Sequence, residues 1–196
     1  MNWVRPPCQR IGSPTRTQQF IGTGIIPPLG STRPTSDRAR QAVFNILEHA
    51  PWSDGVTDKR VIDLFAGSGA MGLEALSRGA SACWFVETAA PALAAIGANI
   101  DAYALAARTR VLRQNATRLP PRPESEPGFD LAFLDPPYGA GLGEAALAAL
   151  MAGAWLAEGA VIVFERGADE PEPATPGFGV LDERRYGAAR VWMLRA

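Results

Sequence analysis

The chain has 196 residues, of which 47% are hydrophobic and 20% charged, and its formal net charge is −1. This length fits one compact domain that buries its core without disulfides or metals. We find no apolar run near the roughly 20 residues of a membrane span, no signal-peptide pattern, and no metal-ligand spacing at Cys8 and Cys83. We therefore expect a soluble, cytoplasmic, monomeric protein without a metal, and a buried thiol at Cys83.

Charge is distributed unevenly along the chain. Residues 1–40 contain six arginines and one acid, net +5, which leaves 13 basic and 19 acidic residues elsewhere, net −6. A basic segment attracts phosphates, although a merely solvated arginine-rich tail would have the same composition. Residues 1–35 predict a basic arm or hairpin, partly disordered, ahead of a domain over 36–196. The candidate RNA contacts are Arg10, Arg16, Arg33 and Arg38.

Ser36 or Asp37 can cap a first helix that ends near residue 50. Beyond residue 60, short apolar runs alternate with helical segments. Strands are predicted at 61–65, 82–86, 109–113, 129–134 and 160–164, and helices at 70–78, 89–104 and 143–152. This alternation predicts an α/β domain with a parallel sheet that helices cover on both faces. Two further runs, at 178–186 and 189–195, predict an antiparallel hairpin at the sheet edge.

A glycine-rich segment follows the first predicted strand. Gly67, Gly69 and Gly72 satisfy G-x-G-x-x-G, which lets backbone approach a ligand at a helix N-terminus. Glu87 follows the next strand, where a carboxylate can accept both hydroxyls of a ribose. These features do not separate adenosylmethionine from NAD, although Asp63 could serve the amino-acid moiety of adenosylmethionine.

Polar segments also follow the third and fourth strands. Asn115 and Ala116 could meet an adenine edge, although Asn115 could equally be an ordinary turn cap. The tetrapeptide Asp135-Pro136-Pro137-Tyr138 follows the fourth strand. Because open α/β sheets bind ligands at the carboxyl ends of their strands, we expect these segments to form one site.

The tetrapeptide suits methylation of an exocyclic amino nitrogen of a base. Such a nitrogen is a poor nucleophile because its lone pair is delocalised into the ring. The Asp135 carboxylate and the Pro136 carbonyl can accept its two hydrogens, while Pro137 stiffens the loop. Tyr138 offers an aromatic face on which the base can stack. Transfer from a sulfonium methyl then depends mainly on approximation and orientation.

With Arg33–Arg38, Phe44-Asn45 and Arg185-Tyr186-Gly187, these motifs closely resemble the RsmD family over residues 32–196. The specific part is DLFAGSGAMGLEALSRGA at 63–80, whereas DPPY also occurs in adenine-N6 DNA and transfer-RNA guanine methyltransferases. The resemblance implies a Rossmann-like class I methyltransferase fold with seven strands, one of them antiparallel. It also implies transfer from S-adenosylmethionine, leaving S-adenosylhomocysteine, to guanine N2 of 16S rRNA in the small ribosomal subunit or its assembly intermediate, at a guanine of the 966 type.

The resemblance also implies site residues. It assigns the target guanine to Asp135, Pro136, Pro137 and Tyr138. It assigns the cofactor to Asp63, Phe65, Ala66, Gly67, Ser68, Gly69, Glu87, Asn115, Ala116 and Asp135. Members of the family usually carry a basic Gly-Gly-x-x-Arg-Gly-Arg segment before the Arg-Pro-Thr motif, and residues 18–29 of this chain lack it. Because a basic segment would bind RNA phosphates, the difference affects how this chain docks on RNA.

Two other functions share parts of this sequence pattern. A DNA adenine or transfer-RNA methyltransferase would share DPPY, but DNA enzymes normally carry a target-recognition insertion, for which this chain has no room. An NAD-binding or other nucleotide-binding module would explain the glycines and leave Asp135–Tyr138 without a role.

Overall fold

The computed structural model describes residues 34–139 and 141–196. Its strands are β1 (Arg60–Leu64), β2 (Ala82–Glu87), β3 (Thr109–Arg113), β4 (Phe129–Leu134), β5 (Leu156–Gly167), β6 (Gly179–Tyr186) and β7 (Ala189–Arg195). Its helices are α1 (Pro34–His49), α2 (Ala70–Ser77), α3 (Ala90–Ala102) and α4 (Leu142–Ala152), with 3-10 turns at Ala106–Arg108 and Ala116–Arg118. Within residues 34–139 and 141–196, no helix is long and apolar enough to cross a membrane.

The strands form one seven-stranded sheet in the order β3-β2-β1-β4-β5-β7-β6. Strands β1 to β5 pair in parallel, and β7 runs antiparallel to both of its neighbours, β5 and β6. The β6–β7 pair is the edge hairpin predicted from the tail of the sequence. The predicted fold, mostly parallel with one antiparallel strand, is confirmed.

Helices cover both faces of the sheet. Successive strand residues point to opposite faces, so each strand contributes apolar side chains to two core clusters. One core cluster joins α1, α2 and α3 to the sheet and includes Phe44, Leu76, Ile96, Val61, Phe85 and Phe133. The other joins α4 to the opposite face and includes Leu147, Leu150, Ile62, Trp84, Trp155 and Phe164. Cys83 is a fully buried free thiol in the first cluster, as predicted.

Several element boundaries differ from the sequence-based expectation by one to four residues, and three of these differences have a clear physical reason. Helix α1 begins at Pro34 rather than at Ser36 or Asp37, since the fixed φ of proline suits the first turn of a helix. Strand β1 ends at Leu64 because Phe65 turns into the left-handed region, with φ 58°. Strand β5 extends to Gly167 because its far end pairs with β7, a long-range contact that local apolar pattern does not report.

Candidate active site

The carboxyl ends of β1, β2 and β4 meet at one edge of the sheet. Leu64 lies opposite Val86 on one side and Leu134 on the other. The next residue along each strand is therefore part of the same edge, which brings Phe65, Glu87 and Asp135 close together. The convergence of the glycine-rich segment, the acid after β2 and the tetrapeptide was predicted from sequence, and the register confirms it.

The loop between β1 and α2 has a backbone that most side chains avoid. Gly67 has φ 56° and Gly69 has φ 80°, both in the left-handed region that glycine adopts without a Cβ clash. Phe65 shares that region without being glycine, and such strained residues concentrate at functional sites. A Cβ at Gly67 would meet nothing within 4 Å, so space lies open above the loop.

Two side chains hold this loop from outside. Glu87 accepts the Gly67 N–H on one carboxylate oxygen at 2.9 Å, and accepts the Thr88 and Ala89 N–H groups on the other at 2.7 and 2.9 Å. Asn99, fully buried on α3, donates its amide to the Ser68 carbonyl at 3.1 Å. The loop, the end of β2 and the start of α3 are thus tied together. Ala66, 9% exposed, closes the turn by accepting the Gly69 N–H.

Asp63 is a buried carboxyl beneath the loop, with 3% of its surface exposed. One oxygen accepts the Gly72 N–H at 2.9 Å. Burial raises the pKa of Asp63 to about 8; the Gly72 hydrogen bond opposes this rise, and the charges of Asp135 and Glu87 add to it. Asp63 therefore anchors the start of α2, within the electrostatic reach of both other acids.

Asn115 serves as a cap after β3. Its side-chain oxygen accepts both the backbone N–H and the hydroxyl of Thr117, each at 2.9 Å. Ala116 begins the 3-10 turn and is buried in the cluster beneath α4. The side-chain oxygen of Asn115 therefore acts as an ordinary turn cap. Because Asn115 follows β3, it also lies at the carboxyl edge of the sheet, where the other site segments lie.

The tetrapeptide leaves β4 directly into a turn. Pro136 is buried, whereas Asp135 and Pro137 are exposed and the Tyr138 side chain is 42% exposed. The Tyr138 hydroxyl donates to Glu165 at 2.9 Å, and its ring lies 3.5 Å from where a Cβ on Gly167 would be. The ring is thus held at its tip and against β5.

An ion cluster centred on the buried Arg166 supports the residues after the tetrapeptide. Arg166, 8% exposed, bonds Glu170 at 2.9 Å and Glu144 in the first turn of α4 at 3.0 Å. Glu170 in turn accepts the Gly139 N–H. We call Arg166, Glu170 and Glu144 the loop clamp, since they tie β5, the tetrapeptide loop and α4 together.

Sequence reasoning missed the loop clamp and Glu165. The available signal was the pair Glu165-Arg166, two charged residues that end an apolar strand at the ligand-binding edge. Among the predicted RNA contacts, Arg38 is exposed on α1, and Arg10, Arg16 and Arg33 lie outside the described residues.

A cavity of about 330 Å³ lies at the opposite edge of the sheet. Trp52, Lys59, Asp130, Gly159 and Arg195 are among its lining residues, which surround the amino ends of β1, β4 and β5. It is therefore separate from the site formed by the loop and the tetrapeptide.

The order and directions of the seven strands are those of the class I methyltransferase fold. The structure is similar to that of the Escherichia coli protein yhhF, with a TM-score of 0.73 and 29% identity over 86% of this chain and 90% of that one. The family model described as "Conserved hypothetical protein 95" matches residues 24–195. The chain belongs to this family, and relatives named ribosomal RNA small subunit methyltransferase D confirm the predicted resemblance to RsmD methyltransferases.

Two curated relatives extend this likeness. Bacillus subtilis YlbH is 37% identical over 163 residues, which cover 82% of this chain and 86% of YlbH. The Escherichia coli ribosomal RNA small subunit methyltransferase D is 34% identical over 169 residues, which cover 86% of this chain and 81% of the relative. Similarity therefore spans most of each protein.

Proposed function

We propose that this protein transfers a methyl group from S-adenosylmethionine to the exocyclic N2 amine of a guanine in 16S rRNA of the small ribosomal subunit. The observation that carries the proposal is the placement of Asp135 beside the glycine-rich loop and Glu87 at one sheet edge. The relative from Escherichia coli named for small-subunit rRNA methylation supports the substrate class.

The residues at the edge fit the proposed cofactor. When bound, S-adenosylmethionine supplies an electrophilic methyl group on a positively charged sulfur. Glu87 would hold the ribose through the one lone-pair position that its three backbone N–H groups leave, and the open, glycine-lined turn at Gly67 and Gly69 would admit the methionine part. Asp63, Glu87 and Asp135 place three carboxyl groups close enough to interact, and a cationic ligand beside them would oppose the rise that burial causes in the pKa of Asp63. Phe65, Ala66 and Ser68 complete the turn, and Asn115 and Ala116 would border the adenine.

The tetrapeptide would hold the acceptor. Asp135 and the Pro136 carbonyl would each accept one hydrogen of the N2 amine, which frees its lone pair from the ring. The Tyr138 ring, already fixed by Glu165, would stack on the base. Formation of the N2–methyl bond would accompany loss of the methyl group from sulfur, with S-adenosylhomocysteine as the leaving group, and the methylated amine would then lose a proton either to the Asp135 carboxylate or to water. Binding and orientation would thus supply most of the rate enhancement.

The decisive experiment identifies the methylated nucleoside. The protein is incubated with labelled S-adenosylmethionine and separately with small subunits lacking the modification, naked 16S rRNA, transfer RNA and DNA. We expect N2-methylguanosine from the small subunits. Label in N6-methyladenosine or in transfer RNA would assign a different substrate, and tight NAD binding without S-adenosylmethionine binding would exclude a methyltransferase.

A pair of variants tests the assigned role of Asp135. Asp135→Ala should keep cofactor affinity within several-fold and abolish methylation, because the residue faces the acceptor amine. Asp54→Asn is the matched control, since Asp54 is exposed near the opposite edge. Equal activity of Asp135→Ala and wild type would remove Asp135 from the mechanism.

The arginine-rich segment before α1 is proposed to dock RNA phosphates. Replacing Arg10 and Arg16 with alanine should weaken RNA binding and lower the slope of log affinity against log salt by roughly one per lost phosphate contact. An unchanged slope would show that the segment does not contact the RNA.

A further inference from the structure

Glu165 stands next to the tetrapeptide on the neighbouring strand. Strands β4 and β5 pair in parallel with Leu134 opposite Phe164, so Asp135 and Glu165 are the next residues along the two strands. Neighbouring strands lie about 4.8 Å apart. Leu134 and Phe164 both point into the cluster beneath α4, so Glu165, one residue later, leaves β5 toward the other face.

A hydrogen bond fixes the Glu165 carboxylate at the rim of the proposed base site. It accepts the Tyr138 hydroxyl at 2.9 Å, and the Tyr138 ring is the surface on which the base would stack. Glu165 is half-buried as a residue, and its hydrogen bond with Tyr138 lies at the exposed surface, where a base could reach it. A second acid therefore accompanies Asp135 at the position where the edge of a stacked base would come.

The hydrogen-bonding groups of guanine complement the two acids, whereas those of adenine do not. Guanine presents N1–H beside its N2 amine, two neighbouring donors, whereas adenine presents an N1 lone pair beside its N6 amine. A carboxylate only accepts hydrogen bonds. A carboxylate opposite N1 therefore attracts guanine and repels adenine, which is how a site gains specificity against a near-isostere.

We propose that Glu165 accepts the N1–H of the target guanine while Asp135 and Pro136 hold N2, so that Glu165 selects guanine over adenine. This inference rests on the proposed guanine-N2 activity. A carboxylate has about four lone-pair positions, so it accommodates the Tyr138 hydroxyl and a base N–H together. Glu165 is then a specificity-determining residue as well as a support for Tyr138.

The test uses a base that lacks the N1–H of guanine. Small subunits are assembled with 16S rRNA whose target guanine is replaced by 2-aminopurine, which keeps the amine at C2, has an acceptor at N1 and lacks O6. Because the loss of O6 is common to wild type and variants, the change in the guanine/2-aminopurine ratio between wild type and Glu165→Gln reports on N1. For wild type, kcat/KM should fall roughly 10- to 100-fold from guanine to 2-aminopurine, the size of one charged hydrogen bond. For Glu165→Gln, the amide can donate to that acceptor, so the guanine/2-aminopurine ratio should drop at least about 10-fold.

Two further variants separate the two proposed roles of Glu165, which are recognition of guanine N1 and support of the Tyr138 ring. Tyr138→Phe removes the hydroxyl that bonds Glu165 and keeps the ring, so it should leave the guanine/2-aminopurine ratio close to that of wild type. Glu165→Gln introduced into Tyr138→Phe should still lower the ratio. Glu158→Gln, at an exposed position lining the cavity at the opposite edge, is the matched control and should leave both rates unchanged.

The outcomes distinguish this inference from the proposed function. If wild type methylates guanine N2 and Glu165→Gln retains the wild-type ratio, Glu165 does not read N1 and the inference is overturned while the function stands. The same holds if Glu165→Gln changes nothing once Tyr138 is phenylalanine. If wild type forms no N2-methylguanosine on any substrate, the proposed function fails, and the inference fails with it.

Discussion

Glu87 and Gly67 are joined by a 2.9 Å hydrogen bond from the Gly67 N–H to the Glu87 carboxylate, across 20 residues of sequence. The same carboxylate binds the first N–H groups after β2. Glu87, which is proposed to hold the ribose, is therefore directly bonded to the glycine-rich loop, which is proposed to admit the methionine part. A change at Glu87 is expected to disturb both.

Glu87→Gln should lower the affinity for S-adenosylmethionine roughly 10- to 100-fold, as expected for the loss of charge-assisted hydrogen bonds. Glutamine keeps one acceptor oxygen, but its NH₂ would face backbone donors at Gly67 or at Thr88 and Ala89. Calorimetric titration measures the effect, with Glu158→Gln as the control. Wild-type affinity in Glu87→Gln would remove this residue from the cofactor site.

Gly72→Ala should destabilise the protein by roughly 1–3 kcal/mol, the usual cost of overpacking a core. A Cβ at Gly72 would lie 2.4 Å from both the Cys83 sulfur and the Phe85 ring. Gly97→Ala on α3 is the matched control, because a Cβ there meets nothing within 4 Å. It should stabilise the helix by about 0.5–1 kcal/mol. Chemical denaturation compares the two, and equal effects would contradict the packing described for Gly72.

Arg166→Lys should lower kcat roughly 10-fold or more while the affinity for S-adenosylmethionine stays within about two-fold. Lysine keeps the charge but loses the planar fork that bonds Glu170 and Glu144 together. The loop clamp would loosen, and with it the tetrapeptide. Single-turnover rates on small subunits measure this effect.

Arg184→Lys is the control for the clamp, since Arg184 is exposed on β6 and pairs only with Asp182 among the ion pairs recorded for the described residues. If both arginine variants lose the same activity, the effect of Arg166→Lys is not specific to the clamp. If Arg166→Lys retains the wild-type rate, the clamp does not position the tetrapeptide.

Asp63 should make the stability of the cofactor-free protein fall as pH rises from about 4 to about 8. Its folded pKa of about 8 lies above its usual 3.8, so the folded state binds more protons in that window. The contribution of Asp63 to the stability of the folded state is complete below pH 3.8 and is lost as the pH rises through about 8. Each unit of pKa difference corresponds to about 1.4 kcal/mol.

Asp63→Asn tests this linkage, because asparagine keeps an acceptor for the Gly72 N–H and does not titrate. Urea unfolding at about pH 5 and about pH 8 should show wild type losing stability relative to Asp63→Asn. Parallel pH profiles for the two proteins would mean that Asp63 ionises normally in the folded state.

Local sequence pattern was sufficient to predict most elements of the fold, but it did not predict the order of the strands in the sheet. The apolar runs from residue 61 onward and the glycines that follow them predicted the parallel strands, and Gly187 marked the edge hairpin. The far end of β5 could not be predicted this way, since Gly167 is a strand residue only through its pairing with Ala189 of β7. Helix α1 starts three to four residues before the position expected from a cap at Ser36 or Asp37, because Pro34 is itself compatible with a first helical turn.

For the site, the sequence located the segments but not the contacts among them. That Glu87 would bind Gly67, or that Asn99 would bind Ser68, depends on how α3 packs beside the loop. Likewise, nothing local connects Tyr138 to Glu165, 27 residues later. The roles of the individual residues toward cofactor and RNA stay predictions, as does the docking role of Arg10, Arg16 and Arg33.

The pairing of β7 with β5 places β7 directly behind the proposed base site. Val191 lies opposite Glu165, and Ala189 opposite Gly167, close to the Tyr138 ring. A substitution that weakens the β5–β7 pairing is therefore expected to displace Glu165 and Tyr138 before the parallel part of the sheet unfolds. Methylation would then report damage to β7 earlier than the content of secondary structure does.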